Sequence, residues 1–204
     1  EVSKTEGTAK TVTAVTNADP AVASSVAHGL AAKTVGYFDE DTVTGMLNLA
    51  GQAVQINPVT TDGFTLYDVD ATDYPVYTGG TFVPITQWST LAASTDVTMG
   101  GGDADRQETT VLLDDIRKYE NGLLADQTVQ ISLRALTLSD EALTIIKKAA
   151  RRNLLLVFRI TLKDGNKRVF RGTPSLPGEN IPLGAIGTGS LSVTIKGFIN
   201  EGVA

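Results

Sequence analysis

Apolar residues along this chain recur mostly with a period of two, in short β-branched runs cut by Gly, Pro, Asn and Asp, and that rhythm commits the backbone to strands joined by tight turns. Thr11 to Thr16 is such a run, Asn17-Ala18-Asp19-Pro20 is a turn, and Ala21 to Val26 is the next run. The pattern continues through Ala53 to Ile56, a turn at Asn57-Pro58, a second at Thr61-Asp62-Gly63, and a strand at Phe64 to Tyr67. A compact barrel or meander is the natural product of the first eighty residues, and Gly79-Gly80 closes it as a junction.

Beyond that junction, Phe82 to Trp88 and Leu91 to Thr98 read as strands, interrupted by Gly100-Gly101-Gly102. A mixed-charge stretch from Met99 to Gly122 reads as a long loop, a kind that is usually functional or disordered. Val129, Ile131 and Leu133 alternate with polar neighbours as in a half-buried strand. One helix is predicted. Thr137 or Ser139 can cap it, Asp140 and Glu141 suit its positive end, and Lys147, Lys148, Arg151 and Arg152 suit its negative end. Ala142, Ile145, Ile146 and Ala149 form its apolar stripe. Leu154 to Leu162 and Lys167 to Gly172 flank Asp164-Gly165, a strong hairpin signal, and Gly189 to Phe198 is a cleanly alternating last strand. The fold class read from this is mainly β, a sandwich or barrel with one packed helix.

Chemistry is scarce. The 204 residues include no cysteine, which removes disulfides, thiolate nucleophiles and the commonest zinc ligands. The lone histidine, His28, sits among small residues with no partner acid beside it, and a structural role is the better reading. Asp39-Glu40-Asp41 lacks the alternating spacing of a calcium loop and reads as solvated. Gly100-Gly101-Gly102 lacks the Lys-Ser or Lys-Thr of a phosphate loop. Asp114 and Asp115 pair two carboxylates, but no base, nucleophile or metal site converges on them in sequence. The chain therefore reads as a non-enzyme with no cofactor and no metal. No apolar run approaches the roughly 18 residues of a membrane span, and no signal peptide is visible.

The net charge of −6 is unevenly placed. Residues 1–80 hold three basic and ten acidic side chains, whereas residues 81–204 hold 14 and 13. The acidic first segment repels nucleic acid, and the basic cluster at the helix end lacks the interleaved aromatics of a nucleic-acid surface, so dipole and subunit contacts are its better use.

The stretch from Phe82 to Ala204 resembles the tail tube (major tail) proteins of long-tailed bacteriophages. The resemblance rests on the order and spacing of Thr5-Glu6-Gly7-Thr8, Ile85 to Leu91, Glu108 to Asp115 followed by Tyr119 to Leu123, the strand Val129 to Leu133, the single helix, the hairpin ending in Phe170-Arg171-Gly172, and the closing strand through Gly197. Residues from about Val12 to Gly80 resemble a different unit, a small β module that decorates phage virion proteins and is related to the first catalytic-cysteine half-domain of ubiquitin-activating enzymes. Its marks are Val15 to Pro20, His28-Gly29-Leu30, Gly45-Met46, Gly51, Phe64 to Leu66, Val69-Asp70 and Tyr74 to Gly80. It departs at Asp39-Glu40-Asp41, where a more apolar strand is expected, and without cysteine it cannot carry ubiquitin chemistry.

Together the two likenesses imply a discontinuous tail tube domain, residues 1–11 and 81–204, with residues 12–80 as an inserted small β-barrel decoration module. They imply a structural virion protein, made in the bacterial cytoplasm and working in the tail, whose partners are itself and other tail proteins at the tube ends. Hexameric rings would stack into a tube through which DNA passes without specific binding, and nothing would enter a membrane. The long loop would order on a neighbouring subunit or ring, which makes Gly100, Gly101, Gly102, Asp103, Asp105, Arg106, Asp114, Asp115, Arg117, Lys118 and Tyr119 candidate interface residues. The resemblance also puts inner-barrel strands at Phe82–Trp88, Leu91–Thr98, Val129–Leu133 and Leu191–Lys196, with Asp96 as a candidate lumen acid by position. Two rivals share parts of this pattern. A monomeric cell-surface or carbohydrate-binding β module would need more than 6% aromatic residues to stack sugars, and a secretion-system tube protein lacks a reason for the inserted module.

Overall fold

A computed structural model of the chain describes residues 1–111, 115–134, 140–183 and 185–204. In chain order its strands are β1 (Val2–Glu6), β2 (Lys10–Val12), β3 (Ala14–Val15), β4 (Val22–Ser24), β5 (Val35–Phe38), β6 (Ala53–Val59), β7 (Gly63–Leu66) and β8 (Gly80–Ser89). There follow β9 (Ser94–Gly101), β10 (Ala104–Glu108), β11 (Tyr119–Leu124), β12 (Gln127–Arg134), the helix α1 (Glu141–Arg152), β13 (Leu156–Thr161), β14 (Lys167–Pro174), β15 (Gly178–Asn180) and β16 (Thr188–Gly202). The fold is mainly β with one packed helix, as the alternation predicts.

A single antiparallel path of hydrogen-bonded strands runs β3-β4-β7-β6-β5-β8-β1-β13-β14-β16-β12-β9, with β2 added on β8 and β15 on β16; β10 and β11 form a separate two-stranded sheet. The strand β8 belongs to both halves of this path. Its first residues pair with β2 (Lys10↔Phe82) and β5 (Phe38↔Phe82), and its last pair with β1 (Glu6↔Ile85, Val2↔Ser89). Two lobes result. In the first, Phe38, Phe64 and Phe82 pack with ring centroids 5.2 to 5.4 Å apart, amid Val12, Met46, Leu49, Ile56 and Leu66. In the second, Ala142, Leu143 and Ile146 of α1 cover Phe158, Phe170 and the inner faces of β12 and β16. The alternation of β12 explains this directly, because Val129, Ile131 and Leu133 are buried while Gln130, Ser132 and Arg134 are exposed.

The lobes meet on a third apolar cluster, in which Val35, Tyr37 and Ala53 face Val157 and Val169. Buried amides reinforce this seam. Gln55 donates from Nε2 to the carbonyls of Lys33 (3.3 Å) and Val203 (3.1 Å) and accepts from the Val203 amide (2.6 Å). Asn200 donates to the Ala53 carbonyl (2.6 Å), and Gln52 accepts from the Phe198 amide (3.1 Å). Gly197 makes the last contact possible, since with φ +79° a Cβ there would stand 2.1 Å from Gln52 Oε1. At the rim, Arg171 lies over the Tyr37 ring at 4.0 Å, and Glu40 pairs with Lys196. The Tyr37 hydroxyl donates to Glu6 (3.0 Å); burial, and then the Glu6 carboxylate, push its pKa up to about 12.

Several expectations are corrected here. The stretch from Met99 to Gly122 is not one long loop. β9 extends to Gly101, Gly101 and Gly102 turn the chain at positive φ, and β10 pairs with β11 as a hairpin arm. Gly100 and Gly101 thus lie within a strand. The chain does not turn away at Asn57-Pro58, for β6 continues to Val59 across a register irregularity where Pro58 has no N–H to give the ladder. The helix cap is Asp140, whose Oδ1 accepts from the Leu143 amide (3.2 Å); Thr137 and Ser139 lie outside the described residues. Asp39-Glu40-Asp41 forms the turn after β5, and Glu40 is engaged across the seam.

Candidate functional site

Nothing in the described residues assembles a reaction centre. No group of three His, Asp or Glu side chains among them is placed to hold a metal ion. His28 is buried with both nitrogens committed: Nδ1 accepts from the Leu30 amide (3.0 Å), so Nε2 carries the proton and donates to the Thr60 carbonyl (2.9 Å). Its ring stands edge-on to Phe64, which makes it a packing residue of the first lobe. A groove of about 560 Å³ opens between β9 and β13, floored by Ile131, Phe158 and Phe170. Its rim carries Asp96 and Glu1, but the Glu1 carboxylate is held by Arg159 at 2.7 Å, so no pair of free carboxylates converges there.

What the molecule does present is surface of strand type. β9 ends the strand path, and among the described residues it is bonded to β12 on one side only, so its other edge offers N–H and C=O groups that no described strand pairs. The exposed face of β16, β12 and β9 is set by register: Ser132 lies opposite Asp96 and Ser190, and Gln130 lies opposite Thr98 and Ser192. That face is polar and nearly uncharged at its centre, with Asp96 its acid and Arg134 at its end. Of the four strands placed together by resemblance, β9, β12 and β16 are neighbours, whereas β8 is separated from β16 by β1, β13 and β14.

The second surface is the arm. Asp103, Asp105 and Arg106 lie at the start of the arm and on β10, and Tyr119 on β11, all exposed, with Asp115, Arg117 and Lys118 between the strands; Asp114 lies outside the described residues. The residues predicted for contact are therefore gathered on one projection, except Gly100 and Gly101, which sit at its root. Sequence reasoning named Tyr119 but missed its other apolar members. Val111, Ile116, Tyr119 and Leu123 are all at least half exposed, and Leu123 is 88% exposed. Four large apolar side chains on a thin hairpin have no core of their own to enter, and that burial-free pattern is invisible until the hairpin is known.

No helix among the described residues is long and apolar enough to cross a membrane. A family model for the phage tail tube protein matches residues 44–186. The matched span begins inside the first lobe and includes β8, β9, the arm, β12, α1 and the β13–β14 hairpin. No curated protein matches the sequence.

Proposed function

The chain belongs to the phage tail tube protein family, and from that premise we propose that it is a ring-forming subunit whose stacked hexamers enclose a lumen for DNA during ejection. The family is structural, consistent with a non-enzyme, and implies self-assembly and the virion tail. The observation that carries the finer reading is the unpaired edge of β9 at the end of a long antiparallel path, because an open edge is completed by a strand from another copy. Lateral pairing of this kind, repeated by a six-fold rotation, would close a ring and cover the edge of β9 in every copy.

The face of β9, β12 and β16 supports a lumen role. A wall that DNA must slide past should offer few cations, since each lysine or arginine on a phosphate holds the duplex by counterion release. Gln130, Ser132, Ser190, Ser192 and Thr98 with Asp96 meet that requirement. The arm, with Asp105, Arg106, Tyr119 and Leu123, is the contact to the next copy or ring, and other tail proteins would meet the tube at its ends. We read residues 12–80 as an insertion between β1 and the second half of β8 that faces outward, supported by their separate apolar cluster and their acidic surplus.

Negative-stain electron microscopy of the purified chain at rising concentration, with light scattering to follow mass, tests this. Six-fold rings or hollow tubes are expected. A monomer at every concentration, even with isolated tail tips added as initiators, overturns the reading.

A further inference from the structure

The end of α1 and the connection from β14 to β16 form one surface. Lys147 bridges Glu179 at 2.5 Å, which ties the helix to β15. Beside that bridge Lys148, Arg151 and Arg152 are exposed and pair with no acid among the described residues. The connection itself exposes Ile181 (76%) and Leu183 (106%) together with Leu176 and Ile186. Exposed cations on the helix and exposed aliphatic side chains on the connection tied to it, with no aromatic among those named, suit a protein partner better than a nucleic acid.

The first lobe carries a surface of the opposite charge. The bridge between Thr44 and Gly79 and the bond from the Thr78 amide to the Thr44 carbonyl (3.0 Å) hold residues 41–47 beside residues 73–79. Those two segments carry exposed Asp41 and Asp73 together with exposed Leu47 (65%) and Val76 (71%). Among the described residues no ion pair joins either aspartate to a basic side chain.

We propose that these two surfaces are complements: the basic, aliphatic surface at the end of α1 on one copy docks on the acidic, aliphatic surface around Asp41 and Asp73 on another. The inference rests on the reading that copies assemble, and it adds a role for the first lobe as a clamp between copies. Opposite charges at the rim orient the encounter, and the aliphatic centres are buried when the surfaces meet.

Reciprocal charge reversal tests it on the full chain. Arg151→Glu with Arg152→Glu, and separately Asp41→Lys with Asp73→Lys, should each raise the concentration needed for assembly by about tenfold or more, because like charges then face each other. The four changes together should restore assembly towards the parent, and all variants should match the parent's circular dichroism, since every altered side chain is exposed. Two reversals without effect, or a folded fourfold variant that fails to recover, overturn the proposal. If the parent forms no tubes, the tube reading falls, and sedimentation equilibrium then decides the docking separately. Salt-sensitive pairwise association that is lost in either reversal upholds it, and no association overturns it.

Discussion

At the seam between the lobes, Gln52, Gln55 and Asn200 are buried and each amide is bonded to backbone of the opposite lobe. On the arm, Asp105, Arg106 and Tyr119 stand in solvent, and among the described residues the strands that carry them pair only with each other. Both regions are polar and rich in backbone bonds, yet one is bonded across the chain and the other, among the described residues, is bonded only to itself. The contrast separates what the chain does for itself from what it holds ready for another copy. A buried amide is costly unless bonded, so the seam is fixed wherever the chain is folded. An exposed hairpin bears little folding energy, so its side chains are free to answer to an interface.

Four experiments press on that contrast. The largest effect is expected at Phe82, which packs on Phe38 and Phe64 within the strand both lobes share; Phe82→Ala should cost about 3–5 kcal/mol in denaturant unfolding. Unfolding should stay a single transition seen alike by fluorescence and circular dichroism, and two separated transitions would show that the seam does not couple the lobes. Next, Gln55→Leu takes the side-chain acceptor from the Val203 amide and the side-chain donor from the Lys33 carbonyl, while the Val203 carbonyl keeps Lys167 Nζ at 2.9 Å, and it should cost about 1–3 kcal/mol by the same measurement. An unchanged midpoint would remove the seam's amides from the account of rigidity.

Alkaline titration probes the seam's rim at Tyr37 and the core of the first lobe at Tyr77, which packs on Phe38. Burial raises Tyr37 and Tyr77 from 10.0 to about 12, so the folded chain keeps two phenolic protons that the unfolded chain has already released. Stability conferred by those protons is complete below pH 10 and falls as pH rises from 10 towards 12. Tyrosinate absorbance should show two of the five tyrosines ionising late, and a flat stability profile across that window would contradict the burial. The smallest effect on folding belongs to the arm. Leu123→Asp should change stability by less than about 0.5 kcal/mol, yet tubes should no longer form in electron micrographs. Deleting Gly101 to Arg106, which removes the end of β9 and most of β10, should leave folded monomers unable to form tubes, and tubes of normal length from either variant would strip the arm of its role.

How far the sequence announced all this depends on which faces a strand shows to water. β12 and β16 were legible because one face is buried and one is not, and Asp164-Gly165 fixed their neighbour hairpin, with Gly165 at φ 89°. β5 was not, since Val35, Gly36, Tyr37 and Phe38 are all buried and a strand covered on both faces has no period to read. β10 escaped for the opposite reason: Asp105 to Glu108 are all exposed, and its pairing is carried by backbone alone. Among the candidate residues, the arm's charged members stand out by their density along the chain, while Glu40 reads as a solvated acid because Lys196, its partner, lies far away in sequence. Asp96 was placed by position, and its cross-strand neighbours Ser132 and Thr98 emerged only with the register.

The shared strand β8 also decides how the molecule bears load. Ten extended residues span roughly 33 Å, gripped by β2 and β5 at one end and by β1 at the other. A pull on the first lobe therefore travels along a covalent tie and meets the β1 ladder lengthwise, where several hydrogen bonds must shear at once instead of peeling one by one. A lobe hung from the rest of the molecule by such a tie transmits tension to it as a rivet does, without a hinge to absorb it.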